Sequence, residues 1–499
     1  MLKKKDFTGY IGILVGLIIG VLGILFISLQ LTMNDAFWHI KVGEWVSKEG
    51  FIYQCKGSWN LAEESWKAHE WLFGWIIYQV ARLGLDSVIR MCMILFLLTL
   101  SVCLYQAEVW RYDVNPPMLY WEGVLMLQFS VFALTMTARP QYISVLFVAI
   151  FLLILKKSMN GHEKWLYFLP LITILWVNIH GGTSMLAYVT IFVFLACNIV
   201  NWDIGRIHFE KAEKRWTVHC AISLVLTVLA IMINPYGFEM LLYPYTNMQD
   251  KVMISIITEW AAPDAKNITV LFLQILPMLF GIVALIQYQG RVKAHDVALF
   301  FLYTILYLRS ARFYAYLTVV QTCLIMPYAF RLSSPFAIRK KEKPKKDMRL
   351  INNFSLLLAG GFCIIYIAVS LVIADYESIK KNKILPDELL EMVCLDKPER
   401  ICNYYDAGGY LLYHDINVFV DGRYEPFKQK SVFEEYRMLT RPKNLEEYKN
   451  LEQLIHKYEF DAFLLTTSNI ELVAYLEERE AEYELRYADE NWVYYVERN

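Results

Sequence analysis

Apolar residues along this chain gather into long runs broken by short polar stretches, and only the tail beyond residue 375 loses that pattern. Crossing a hydrocarbon layer of about 30 Å takes roughly 17 to 25 apolar residues, fewer where a span is buried in protein. Candidate spans lie at 8–31, 87–107, 118–136, 141–156, 165–178, 183–202, 217–234, 268–288, 296–308, 313–330 and 353–374. The expected fold is therefore a polytopic α-helical membrane protein with about 11 transmembrane helices. The first run follows Lys3-Lys4-Lys5 and has no small-residue cleavage site after it, so it reads as a retained anchor.

In the tail the pattern shortens. Segments 400–404, 418–420, 460–465 and 492–495 read as strands, with helical patterns around 444–457 and 468–481. Strands alternating with helices predict a small α/β domain. The expected division is a membrane domain over 1–374, carrying an outer loop at 32–86, and an extracytoplasmic domain over 375–499.

Composition supports a membrane class: of 499 residues 57% are hydrophobic and 19% charged, and mean hydropathy is +0.35. The net charge of −1 matters less than its distribution. Basic residues concentrate at the amino terminus, at Lys156-Lys157 with Lys164, at Arg206 to Arg215, at Arg291 with Lys293, and from Arg339 to Arg349. The positive-inside rule makes these loops cytoplasmic. The Asp35 loop, Arg139-Pro140-Gln141, His180-Gly181-Gly182, 235–267 and 309–312 then face outward, in the plasma membrane of a cell whose cytoplasm holds the amino terminus. Counting the short apolar segment 70–84 as a span would reverse this parity, so it is read as an interfacial helix anchored by Trp71 and Trp75. Nothing in the charge pattern points to a nucleic-acid partner.

Charged groups beside apolar spans are costly, and several share the predicted outer side. Asp35 suits a general base for an attacking hydroxyl, or an N-cap for the segment after it. His39 follows one turn later, and Glu44 or Glu70 is positioned to support an acceptor. Arg139, Arg309 and Arg312 offer fixed charge and forked donors suited to phosphate. His180 and Glu259 fall in the same outer set. Each of these residues alone also reads as a snorkelling or structurally paired group. Asp421-Gly422-Arg423 follows a strand signal and reads either as a binding loop or as a turn closed by its own ion pair.

No Gly-x-x-x-x-Gly-Lys-[Ser/Thr] stretch is present, so ATP-driven transport has no visible engine. The outer loop has no Asp-x-Asp or Glu-x-Asp pattern and the cysteines have no zinc-type spacing. No cofactor is certain from the sequence; a divalent metal stays an open option with no motif behind it. Cys394 and Cys402 lie in the outward tail, where a disulfide is one option.

The order of a first span, Asp35, an outer loop, the aromatic helix from Glu70-Trp71-Leu72 to Gly84, Arg90 opening the next span, and Arg139-Pro140 resembles the GT-C glycosyltransferases. It is most similar to bacterial relatives of protein O-mannosyltransferases and aminoarabinose transferases. The resemblance covers the chain up to about residue 200 and is weaker beyond. It implies a polyprenyl-phosphate-linked sugar donor drawn from membrane lipid and an extracytoplasmic glycan, lipid or protein acceptor. Asp35 would be the base, the arginines would stabilise the leaving phosphate, and the anomeric centre would invert. Two other readings stand beside it: a non-catalytic transporter or flippase for lipid-linked glycans, and a structural membrane component whose tail binds partners.

The odd span count has a direct check. Single cysteines engineered near 342 and 430 are expected to label from opposite faces of the membrane, and labelling from one face overturns the count.

Overall fold

The computed structural model describes residues 34–106, 138–247, 258–328, 384–442, 444, 447 and 449–498. Candidate spans 8–31, 118–136 and 353–374, and the basic stretch from 339 to 349, lie outside the described residues. The chain divides into two compact units, one drawn from Asp86–Asp375 with Met1–Leu31 and the other from Thr32–Leu85 with Tyr376–Asn499.

The second unit opens with α1 (Asn34–Glu49) and α2 (Trp71–Ala81). In the first unit, helices occupy every candidate span that the described residues reach. They are α3 (Leu85–Gln106), α4 (Gln141–Ser158), α5 (Phe168–Ile179), α6 (Met185–Ala196), α7 (Lys214–Ala230), α8 (Glu239–Asn247), α9 (Ile268–Gln287), α10 (Ala294–Arg309) and α11 (Tyr314–Val320). The last of these continues through a π-helical turn, Gln321–Ile325. Among the described residues, α4 and α9 are both long and apolar enough to cross a membrane.

The span expected at 183–202 stops at Ala196. After it, β1 (Trp202–Ile204) and β2 (Ile207–Phe209) form a hairpin, and β2 pairs in parallel with β3 (Val292–Lys293). Several polar groups inside this unit find partners, as an apolar surround favours. Thr190 Oγ1 lies 2.8 Å from Tyr303 Oη, and Gln106 donates to the Ala149 carbonyl at 2.8 Å. Two sets of loops sort to opposite ends of the helices. At one end the β1–β3 sheet ties 202–209 to 292–293, Lys156 donates to the Cys323 carbonyl at 2.7 Å, and Trp216 donates to Ser158 at 2.8 Å. At the other, Asn178 donates to the Ile233 carbonyl at 2.8 Å and Ala311 N–H to the Ala261 carbonyl at 2.9 Å.

The tail contributes α12 (Asp387–Asp396), β4 (Ile401–Asn403), α13 (Tyr405–Tyr413), α14 (Val432–Thr440), α15 (Leu451–Tyr458), β5 (Ala462–Thr466), α16 (Ile470–Glu477), β6 (Tyr483–Ala488) and β7 (Trp492–Glu497). The sheet order is β4-β5-β7-β6, with β4 and β5 parallel and the other pairs antiparallel.

One expectation changes and one open option closes. Segment 418–420 is buried but is not a strand; Val418 makes a single bridge to Ser58. The Asn403 amide takes the place of a ladder there, accepting from Phe419 N–H and donating to the Val420 carbonyl, both at 2.8 Å. Helix α13 lies close against the Val420 carbonyl because Gly408 has no side chain; a Cβ there would come within 2.2 Å of it. Cys394 and Cys402 are free thiols; Cys402 is enclosed on β4, and burial pushes its pKa up.

The outer loop, grouped by sequence with the membrane domain, packs in the structure with the tail. Trp59 stacks on Phe419 with centroids 5.5 Å apart and donates to the Ile401 carbonyl at 3.2 Å. Phe37 on α1 meets Tyr410 on α13 edge-on at 4.7 Å. The two loop helices cross with almost no gap, since a Cβ at Gly43 would sit 1.9 Å from the Gly74 carbonyl oxygen. Gly43→Ala is expected to force α1 and α2 apart and to cost about 1–3 kcal/mol. The readout is the thermal midpoint of the detergent-solubilised protein; a midpoint equal to wild type would contradict this crossing.

Candidate functional site

Asp35 lies in the first turn of α1 rather than ahead of it, which corrects the N-cap reading. The partial positive charge of a helix N-terminus still favours a carboxylate there. Asp35 is half-buried and its Oδ1 faces Gly422 of the 421–423 turn.

His39, four residues on, is buried. Its ring stacks on Trp38 with centroids 3.5 Å apart and meets Phe73 edge-on at 4.8 Å. Its Nε2 lies 3.6 Å from Glu70 Oε2, and His69 Nε2 lies 3.5 Å from Glu70 Oε1. Glu70 therefore sits between two imidazoles. Burial disfavours a charged His69, but the Glu70 carboxylate outweighs it, with help from Glu425, and raises the His69 pKa. Glu44 is not in this group. Lys41 at 2.7 Å and Lys48 at 2.6 Å engage it, and although burial alone would raise its pKa, those hydrogen bonds lower it.

The wall opposite Asp35 is fixed by a fully buried ion pair. Arg423 Nε donates to both Asp421 oxygens at 2.9 Å, Nη2 donates to Oδ2 at 2.5 Å, and Nη1 donates to the Lys56 carbonyl at 2.7 Å. The guanidinium lies 5.0 Å from the Trp66 ring centre, a cation–π distance. Of the two readings of Asp421-Gly422-Arg423, the structure shows the self-paired turn.

In the membrane body, Arg139 Nη1 donates to Glu259 Oε2 at 2.6 Å, and Arg312 Nη1 lies 3.9 Å from Glu259 Oε1. With its amide turned to accept, Gln141 Oε1 lies 3.2 Å from Arg312 Nε and 2.7 Å from Nη2. The Arg312 guanidinium also covers Trp260 at 4.8 Å. Among the described residues two guanidinium groups thus meet one carboxylate, and forked guanidinium donors are suited to oxyanions. Arg309, the last residue of α10, is exposed and makes none of these contacts. His180 is buried in a hydroxyl network, its Nδ1 2.7 Å from Ser144 Oγ and 3.1 Å from Thr183 Oγ1, and so joins the ends of α4 and α5.

The structure therefore groups Arg139, Glu259 and Arg312 in one place and His39 with Glu70 in another. Sequence reasoning did not single out His69, Trp38, Gln141 or Trp260. Trp38, His69 and Trp260 adjoin predicted residues and Gln141 lies two beyond Arg139, but only folding shows which neighbours they serve. Among the described residues, no group of three or more His, Cys, Asp or Glu side chains is arranged to hold a metal ion.

No protein-family model matches the chain, and no curated protein matches it. Among solved structures it is similar to the Archaeoglobus fulgidus oligosaccharyltransferase tethered to an acceptor peptide. The identity is 11%, over 97% of this chain and 74% of that one, with a TM-score of 0.47. A likeness of that degree decides neither fold nor activity.

Removing one partner of a buried pair leaves an uncompensated charge. Arg423→Met is expected to destabilise the protein by about 3–5 kcal/mol, and Arg423→Met with Asp421→Asn by less. Denaturant unfolding followed by tryptophan fluorescence checks the order; equal losses in the single and double variants would show that the pair's charge is not what matters.

Proposed function

We propose that this chain is a membrane glycosyltransferase of the GT-C kind that moves a sugar from a polyprenyl-phosphate donor to a hydroxyl acceptor outside the cytoplasm. The observation that carries this reading is the convergence of Arg139 and Arg312 on the single carboxylate of Glu259, with Gln141 bracing Arg312. A phosphate can take the carboxylate's place there, and a site that holds two fixed cations stabilises the charge developing on a departing phosphate.

In the proposed reaction the acceptor oxygen forms a bond to the anomeric carbon as its proton passes to the Asp35 carboxylate. The bond from that carbon to the phosphate oxygen breaks, and its electron pair leaves on the phosphate. One in-line displacement inverts the anomeric centre. Glu70, held between His39 and His69, supports the acceptor side. Arg309, exposed at the end of α10, stands apart from the guanidinium group among the described residues.

The proposed topology has about eleven spans, with the amino terminus in the cytoplasm and the tail outside. Its support is the sorting of loops in the membrane body. The basic loops around Lys156, Arg206 and Lys293 gather at one end of the helices, and Arg139, Glu259 and Arg312 gather at the other.

Reconstitution in liposomes with a pool of polyprenyl-phosphate sugars tests the activity. Asp35→Asn is expected to lower transfer by about 100-fold or more, and Arg312→Gln by about 10-fold or more, with both proteins folded. Transfer that survives unchanged in Asp35→Asn removes the base assignment. Lipid-linked sugar that crosses the bilayer without being transferred favours the transporter reading.

A further inference from the structure

The stretch 235–267, expected as a loop, opens with helix α8 directly after α7. A short turn joins them: Asn234 donates to the Gly237 carbonyl at 3.2 Å and accepts from Tyr236 N–H at 2.7 Å. One side of α8 is seated on the membrane body. Met240 is fully enclosed with Val177 of α5 and Ile231, and Tyr188, Tyr236 and Tyr243 pack against them.

That seating leaves a second apolar face uncovered. Phe238, Leu242 and Tyr245 follow at spacings of four and three, so they share one side of the helix, and they are 54%, 51% and 44% exposed. Glu239 and Thr246, also exposed, each come one residue later and so lie about 100° further round. An apolar face with a polar edge is the pattern of a helix lying in a membrane–water boundary. Tyr245 Oη lies 2.6 Å from Tyr188 Oη of α6, and tyrosines are enriched at that boundary.

The neighbouring surface indicates what covers this face. Val218, Ile222, Val225, Leu229 and Ile233, on α7 and just beyond it, are exposed at helical spacing. They make a stripe about 22 Å long, most of the ~30 Å hydrocarbon layer, and no Asp, Glu, Lys or Arg occurs from Trp216 to Phe238. Acyl chains are the cover that suits a stripe of that length and chemistry. It ends at Ile233, where the Asn178 amide holds the carbonyl, and the α8 face starts five residues later at Phe238.

We propose that α8 is a lipid-binding interfacial helix, with Phe238, Leu242 and Tyr245 seated among the upper acyl chains of one leaflet and Glu239 and Thr246 turned towards water. Calling that leaflet the outer one rests on the proposed topology. The contact itself depends neither on that orientation nor on the transferase reading. Because α8 also packs on the 181–183 turn, the helix ties that turn to the lipid surface.

The test uses the full chain in vesicles of phosphatidylethanolamine and phosphatidylglycerol. Photolabelling phospholipids carry a diazirine either near the glycerol or at the chain end, and peptide mass spectrometry locates the label. Phe238, Leu242 and Tyr245 are expected to take several-fold more label from the shallow probe than from the deep one. Val225, midway along the stripe, should show the reverse, and buried Met240 should take neither. Leu242→Glu, at an outward-facing position, should cut shallow labelling of Phe238 and Tyr245 several-fold and leave Val225 unchanged. Hydroxyl radicals generated in the water phase separate the alternatives. An α8 face that is oxidised but not labelled lies in water; one that is neither oxidised nor labelled is covered by protein, such as a second copy of this chain. Either result, or equal labelling by the two probes, overturns the proposal. Absence of label from Val225 as well removes the span reading of α7 and the proposal with it.

Discussion

The unit that contains Asp35 depends on one guanidinium. Arg423 comes from the tail, yet its charge is neutralised by Asp421, its Nη1 is taken by the Lys56 carbonyl of the outer loop, and its face lies over Trp66 of that loop. A fully buried arginine is tolerable only when nearly every donor has an acceptor. Here the acceptors come from segments far apart in the chain, so the cost of burial obliges loop and tail to fold together. Burial alone would lower the Arg423 pKa, but Asp421 beside it more than restores it and the pKa is raised.

Two contacts of other kinds reinforce that assembly. The Gly43–Gly74 crossing brings α1 and α2 to backbone contact, and aromatic packing of Trp59 and Phe37 places both parts of the loop in the core of the tail. In the membrane body the organising demand differs: polar side chains surrounded by apolar ones must find hydrogen-bonding partners. Lys156, Trp216 and Asn178 do so at helix ends, and Arg139 with Arg312 does so around Glu259. The same rule that makes such charges expensive makes their clustering informative.

Helices and their approximate ends were legible because long apolar runs have few alternatives. The span expected at 141–156 is α4, and that at 268–288 is α9. The strands β5 and β7 were readable for a related reason, being dense in aliphatic and aromatic residues. β6 was not, because it lies at the sheet edge with much of its surface exposed and carries charged residues among its tyrosines. Segment 418–420 looked like a strand because it is apolar, but Phe419 and Val420 bond to the Asn403 side chain and Val418 to the backbone of Gly57 and Trp59. The arginines at 139 and 312 could be nominated from their residue type, and Arg309 equally so. Which of them meet was a question of rotation about α10 and the turn after it, which composition does not encode.

By itself the sequence determined where apolar helices form, which loops carry the basic residues and which residues have the chemistry for phosphate or proton transfer, since each follows from local composition. Tertiary structure decided the company those residues keep. It joined the Asp35 loop to the tail, set Gly422 against Asp35 and Trp38, paired Asp421 with Arg423, and shared Glu259 between two arginines. These outcomes depend on close approaches between distant segments, where the absence of a single Cβ or the need to satisfy one buried charge selects the arrangement.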